Sequence, residues 1–403
     1  MNRIYLRGTR VTGARRGMFE MDDPSTGEPL VAVHTAATSQ MRSAAVDARE
    51  ALRAGQWPRT HAAYRSASVR SLLAKLETGS RVSIEREVSE LGTPISAARS
   101  RFTQTIDRLG ERIPNLPELD PEVVVISGDA WSRFEDWAVV AVEALSRGGA
   151  VLLAPHPRAR AHATSIVEAA DAANMLSGLV ALLPSEDARE LASSPVIDRV
   201  VWLGRRADAV GLAEAAASHV ASLSVIDPTT AVVADDKADA NQVAAALAEA
   251  FGTGSGPATP RVGLVHEAIA ERVGKLLAET AVVSRIGRAC DAATEVGPVA
   301  DAETLQHALD YSARVGREGG GILCGGTRIS GEGLPEGGRY LAPTVLTTRR
   351  EPAGFLAPLV TLCVRDRTEE LLAELERSKA PRVRVLGDID PSEVLIVSGS
   401  IPL

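Results

Sequence analysis

Aromatic side chains are scarce in this 403-residue chain, at 3% of its residues. A core with so few rings must be built from Ala, Val, Leu and Ile, which suits a buried parallel sheet flanked by helices. Only three cysteines occur, Cys290, Cys324 and Cys363, odd in number and far apart, with no CxxC pair. That excludes a disulfide framework and points to a reducing, cytoplasmic setting. No run of about 18 apolar residues exists, so no membrane-spanning helix is expected. The opening MNRIYLRGTRV lacks the apolar stretch of a signal peptide. Basic residues do not predominate: 44 Lys and Arg face 52 Asp and Glu, for a net charge of -8. Nucleic-acid binding, which rests on neutralising phosphates, is therefore not expected. The seven histidines form no HExxH or HxH pair, so no metal site is expected.

What is present describes a soluble α/β protein. Hydrophobic residues make up 45% and charged residues 24% of a chain long enough for two or three domains. After the turn DPSTG come three helical stretches, from Thr38 to Gly55 with Ser39 as N-cap, over RSASVRSLLAKLETGS, and over RVSIEREVSELG before Pro94. IPNLPELDPE reads as a proline-rich linker. VVVISGD, AVLLAP, residues 179–183 and RVVWLG then alternate as strands with helical segments. This alternation predicts a doubly wound parallel sheet. It restarts near residue 225 with TAVVADD, RVGLVH, LVTLCVRD and RVRVLGD as strands, and EVLIVSG closes the series.

One stretch has the build of a catalytic loop without its chemistry. GTGSGPATPRVGLVH, Gly252 to His266, combines small residues that allow close backbone approach with two stiffening prolines. It carries no cysteine, no carboxylate and no metal ligand. GTGSG lacks the lysine of a phosphate loop and the GxGxxG order. His266 could act as a base for Ser255 or Thr259, but a strand-end histidine is the simpler reading. Cys290 could be a nucleophile, but a surface-loop cysteine with no adjacent histidine is the simpler reading there too. Arg205 and Arg206 open an expected helix at a strand end, a place suited to an anion or to a partner's acidic patch.

In collinear order from residue 23 to residue 346, the segments DPSTGEPL, GGAVLLAPHP, VVWLGRR, VIDPTTAVVADDKAD, EVGPVAD, CGGTR and GGRYLAPTVL resemble motifs of the aldehyde dehydrogenase superfamily. The resemblance implies two doubly wound parallel-sheet domains. Residues 1–224 would form a Rossmann-like cofactor-type domain with N-terminal helices, and 225–403 a catalytic-type domain. Beyond EVLIVSGSIPL the family's C-terminal return and oligomerisation strand are not expected here.

Family members use a cysteine thiolate, a glutamate base, an asparagine and a backbone N–H for the oxyanion, and NAD(P). The nucleophile position falls on Pro257 and the base on Ser224. The oxyanion asparagine falls near Trp131 or Ser132. The cofactor contacts fall on Ala154, Pro157, Arg205 and Gly354. No Cys lies between 100 and 289 and no Glu between 215 and 247, so a one-residue slip restores neither group. The resemblance therefore implies a catalytically inactive member with no bound cofactor, a subunit or scaffold beside an active aldehyde dehydrogenase. Alternative readings are an oxidoreductase with relocated residues, which would need NAD(P), an esterase using Ser224, Ser255 or Thr259, or a small-molecule sensor using the emptied cleft. Arg205 and Arg206 remain the candidate anion or partner site.

Overall fold

The computed structural model describes all residues apart from 1–2, 15–17, 31, 113–119, 220–221, 228–229, 253–258, 332, 351, 354–355, 379, 381, 392–393, 395–400 and 403. The chain forms two compact units. The first holds the hairpin β1 (Ile4–Leu6) and β2 (Thr9–Val11), the short pair β3 (Met18–Phe19) and β4 (Val33–His34), and helices α1 (Thr38–Ala54), α2 (Ala62–Thr78), α3 (Ser80–Leu91) and α4 (Ile95–Arg112). There follow β5 (Val123–Gly128), α5 (Phe134–Ser146), β6 (Ala150–Pro155), α6 (Arg160–Ala172), β7 (Val180–Leu182), α7 (Arg189–Ala192), β8 (Arg199–Leu203), α8 (Val210–Ala217) and β9 (Ser222–Ile226).

The sheet order is β2-β1-β7-β6-β5-β8-β9. Strands β5 to β9 are mutually parallel, and the hairpin joins antiparallel through Tyr5 opposite Leu182. β5 and β6 are wholly buried, as their unbroken apolar sequences VVVIS and AVLLA require of central parallel strands. The chain winds β5→β6→β7 in one direction and then resumes at β8 on the other side of β5. That reversal opens a crevice at the carboxyl ends of β5 and β8.

The second unit contains β10 (Thr230–Ala234), α9 (Ala240–Ala248), β11 (Val262–His266), α10 (Glu267–Val283), α11 (Ala302–Arg317), β12 (Gly321–Cys324), β13 (Arg328–Ile329), β14 (Tyr340–Leu341), β15 (Thr344–Thr348), β16 (Leu359–Arg365), α12 (Thr368–Ser378), β17 (Arg382–Leu386) and β18 (Ile401–Pro402). Its main sheet has the order β12-β15-β16-β11-β10-β17-β18, parallel throughout except for the antiparallel edge strand β12. One face packs on α9 and α10 through Val243, Leu247, Val273 and Leu277, the other on α12 through Leu371 and Leu375.

Several expectations need correction. The division does not fall at 224/225. β9 runs to Ile226 as the outermost strand of the first sheet, and the first unit ends at Asp227. Two short segments, 23–28 and 91–97, also belong with the second unit. There Ser25 Oγ accepts from Ala289 N–H (3.2 Å), its carbonyl accepts from the Tyr340 hydroxyl (3.0 Å), and Ile95 N–H donates to Ala289 O (2.9 Å). Ser39 does not cap α1. The helix begins at Thr38, and the Gln40 side chain accepts from Ala37 N–H instead (2.9 Å). Pro94, read as a stop for α3, also precedes α4, whose Ala98, Phe102, Thr105 and Leu109 form a buried stripe at helical spacing. After Arg205 the chain makes a 3-10 turn, Arg206–Ala209, before α8. Apart from Val394, the strand expected over EVLIVSG lies outside the described residues.

Candidate functional site

The crevice at the carboxyl ends of β5 and β8 is where an open α/β sheet presents ligands to loop groups. Its loops are tied by backbone bonds, Asp129 N–H to Leu203 O (3.0 Å) and Gly204 N–H to Ile226 O (3.1 Å). Three carboxylates occupy it. Asp129 follows β5 directly, and its Oδ1 accepts from Trp131 N–H (2.8 Å). Burial, with Asp208 adding to it, pushes the Asp129 carboxyl up to about 6, against the pull of the Trp131 and Ser132 N–H groups and of Arg205. Its other oxygen crowds Gly204, where a Cβ would lie 2.4 Å from Oδ2 and where φ is +153°. Only glycine suits that turn.

Arg205 and Arg206 lie at this crevice, but not as a free pair. The Arg205 guanidinium binds the Asp208 carboxylate at 2.9 Å. The Arg206 N–H, the first donor of the 3-10 turn, donates to Asp227 Oδ2 at 2.8 Å. The Arg206 guanidinium has no ion pair among the described residues. Trp202 closes the turn, its indole N–H donating to Arg205 O (3.1 Å). Protein carboxylates thus already take the Arg205 guanidinium and the Arg206 N–H, and the Arg206 guanidinium is left without an ion pair among the described residues.

The other expected positions are dispersed. Ala154, fully buried near the end of β6, stands opposite Ser127. Pro157 is buried at the start of a 3-10 turn that leads into α6. Ser132 is buried, and its hydroxyl is used twice: it donates to Asp129 O (3.0 Å) and accepts from Trp137 Nε1 (2.9 Å). Trp131 contributes a backbone donor to Asp129 rather than a side-chain polar group. Ser224 is exposed on the edge strand β9, opposite Val201. Pro257, Ser255 and Gly354 lie outside the described residues.

Cys290 is exposed, with Sγ 3.8 Å from an Asp291 carboxylate oxygen. Cys363 is buried in β16, where desolvation raises its thiol to about 11. His266 caps α10, its Nδ1 accepting from Ala268 N–H (3.2 Å). His61 and His156 do the same for Ala63 and Arg158, both at 3.2 Å. His162 is buried on α6 beside Phe134, and burial lowers its pKa. Asp129 was not singled out by the sequence, and His266 was weighed there as a base or a strand-end residue rather than as a helix cap. Asp129's only signal is a carboxylate placed immediately after a mainly apolar strand.

Two open, largely parallel sheets, the first with a reversal of strand order between β5 and β8, define a doubly wound α/β protein. The profile described as "Aldehyde dehydrogenase family" matches residues 11–135 and 137–357. The chain belongs to that family. Among solved structures, PnpE from Pseudomonas sp. WBC-3 superposes with a TM-score of 0.88 at 19% identity, covering 100% of this chain and 88% of that one. KauB, an aldehyde dehydrogenase from Pseudomonas aeruginosa, gives 0.86 at 20% identity, with 100% and 88% covered. The indole-3-acetaldehyde dehydrogenase AldA of P. syringae, a mutant in complex with NAD+ and IAA, gives 0.86 at 21%, with the same coverage. These likenesses establish the fold. Among the described residues, no helix is long and apolar enough to cross a membrane.

Proposed function

We propose that this chain is a catalytically inactive member of the aldehyde dehydrogenase family that works by binding, as a structural or regulatory subunit beside an active relative. The observation that carries the reading is the occupied crevice. A dinucleotide needs free N–H donors at a helix start and polar partners for its ribose. Here Asp227 holds the Arg206 N–H, Asp208 holds Arg205, and Asp129 crowds Gly204. Three carboxylates would face a diphosphate, and Ala154 offers a ribose only a buried methyl. The residues present do not fit NAD(P).

The sequence supports the same conclusion for the chemistry. A proline at 257 cannot attack a carbonyl and has no N–H to offer an oxyanion. Ser224 cannot accept a proton as a carboxylate does. Loss of a nucleophile alone costs about a million-fold in kcat in a well-studied hydrolase.

Calorimetry with NAD+ and NADP+, paired with aldehyde-dependent absorbance assays, tests the catalytic half. No binding in the micromolar range and no reduced cofactor are expected. Micromolar affinity or turnover that tracks this chain through purification overturns it. Light scattering of the chain alone and coexpressed with an active aldehyde dehydrogenase tests the partner half. A mixed assembly is expected, and its absence across the host's active relatives refutes the subunit role.

A further inference from the structure

A second recess lies wholly within the second unit and shares no residue with the positions discussed above. It is a concavity of about 750 Å³ at the carboxyl ends of β15 and β16, set against α10. That volume falls in the range of about 300–1,000 Å³ typical of small-molecule sites. Two features of the sequence leave it open. α10 presents Ala270, Gly274 and Ala278 along one line, and Leu323 packs over Gly274, its Cδ1 2.5 Å from where a Cβ would lie. The edge strand β12 has only four residues, and it starts from the glycine run 319–321. A Cβ at Gly319 would meet nothing within 4 Å.

Floor and rim differ in chemistry. Leu323 and Val364 give an apolar floor, and Leu323 is 45% exposed although it is an aliphatic side chain on a sheet. The rim carries Lys275, Arg349 and Arg350. Arg349 is tied to Glu267 at 2.6 Å, while Arg350 reaches Glu318 only at 3.6 Å. Lys275 has no ion pair among the described residues. Beyond Arg350 a smaller recess of about 400 Å³ shares Glu318, Thr348 and Arg350, and adds Arg314 lying over the Tyr311 ring at 5.2 Å. Lys275, Arg314, Arg349 and Arg350 therefore stand around the two recesses against Glu271, Glu318 and Arg349's partner Glu267, four cations to three carboxylates on a protein whose net charge is -8. A local excess of positive charge over an apolar floor matches one ligand class.

We propose that this recess binds a small amphipathic organic anion, with a carboxylate or phosphate head at Lys275 and Arg350 and a short hydrocarbon body over Leu323 and Val364. The guanidinium of Arg350 can meet either head group with paired donors. The apolar body would cover surface that now faces water.

The test is calorimetric titration of the purified full chain with octanoate, octyl phosphate and octanol. Saturable binding of at least one anion is expected, with octanol at least about tenfold weaker. The two anionic arms decide between a carboxylate and a phosphate head. Lys275→Glu and Arg350→Glu should each weaken the anion by about tenfold or more, whereas Lys275→Arg should retain it. Both charged positions are exposed, and circular dichroism checks that the fold is kept. Ala278→Phe should block the recess. The proposal fails if neither anion binds, if octanol binds as well as the anions, or if affinity is indifferent to Lys275→Glu and Arg350→Glu.

Discussion

Replacing Asp129 by Asn isolates the electrostatic cost of the crevice. The carboxyl sits at about 6 in the folded chain, mainly because burial disfavours its charge. An unfolded aspartate titrates near 4. The folded state therefore holds the proton more firmly, and stability falls as pH rises from about 4 through about 6. Above that window the native protein carries the full cost of the charge, at most about 3 kcal/mol. Asp129 keeps some contact with water, so about 1–2 kcal/mol is the working expectation. Asn preserves the acceptor for the Trp131 N–H and removes the charge. The variant should be more stable than the wild type at pH 8 and indistinguishable from it near pH 4. Urea unfolding followed by tryptophan fluorescence suits the purpose, because all four tryptophans (Trp57, Trp131, Trp137 and Trp202) lie in the first unit. A variant no more stable at pH 8, or an advantage that persists undiminished at pH 4, would refute the reasoning.

Other outcomes follow from the same geometry. Gly204→Ala puts a Cβ against Asp129 at positive φ and should cost about 1–3 kcal/mol in urea unfolding; a neutral result would mean that the turn relaxes freely. Glu374 is 2% exposed and accepts from both Arg365 and Arg377 at 2.6 Å, so Glu374→Ala should lose about 3 kcal/mol, read as a lowered thermal midpoint. Native protein should expose the Cys290 thiol to a disulfide reagent at once and Cys363 only after denaturation, given the latter's burial and raised pKa; rapid labelling of Cys363 contradicts the packing of β16. Pro257→Cys alone should leave aldehyde-dependent NADH formation at the protein-free rate, since neither base nor cofactor contacts return; measurable turnover would show that the site is one residue from activity.

The strands were legible because their signal is local. VVVIS, AVLLA and TAVVA are short, mainly apolar runs bounded by turn residues, RVRVL alternates arginine with apolar residues, and each lies in a strand. The N-terminal hairpin was not legible, since IYL and TRV are too short to distinguish from a loop, and β1 joins its sheet only through pairing with β7. α4 was hidden by Pro94, which as readily precedes a helix as ends one. At the crevice the sequence did not show which side chains meet there. Asp129, Asp208 and Asp227 are separated by many residues, and only the sheet order brings the loops of β5, β8 and β9 side by side. Adjacent arginines look alike in a sequence, but here Asp208 engages the Arg205 guanidinium while Asp227 takes only the backbone N–H of Arg206.

The passage of segments 23–28 and 91–97 into the second unit bears on biosynthesis. A ribosome releases the chain from its N-terminus, and domains commonly fold as they emerge. Here Ser25 waits for Ala289 and Tyr340, and Ile95 waits for Ala289, before its bonds can form. Cotranslational folding can assemble the first sheet once β9 is out, yet two early stretches of polypeptide stay unsatisfied until the chain has been made as far as Ala289, 264 residues beyond Ser25, and then Tyr340, 315 residues beyond it. A fragment ending at 227 would carry them permanently as loose strands, and one starting at 228 would lack them. Neither half is a self-sufficient piece, so the gene cannot be cut at the boundary between units without leaving each product incomplete.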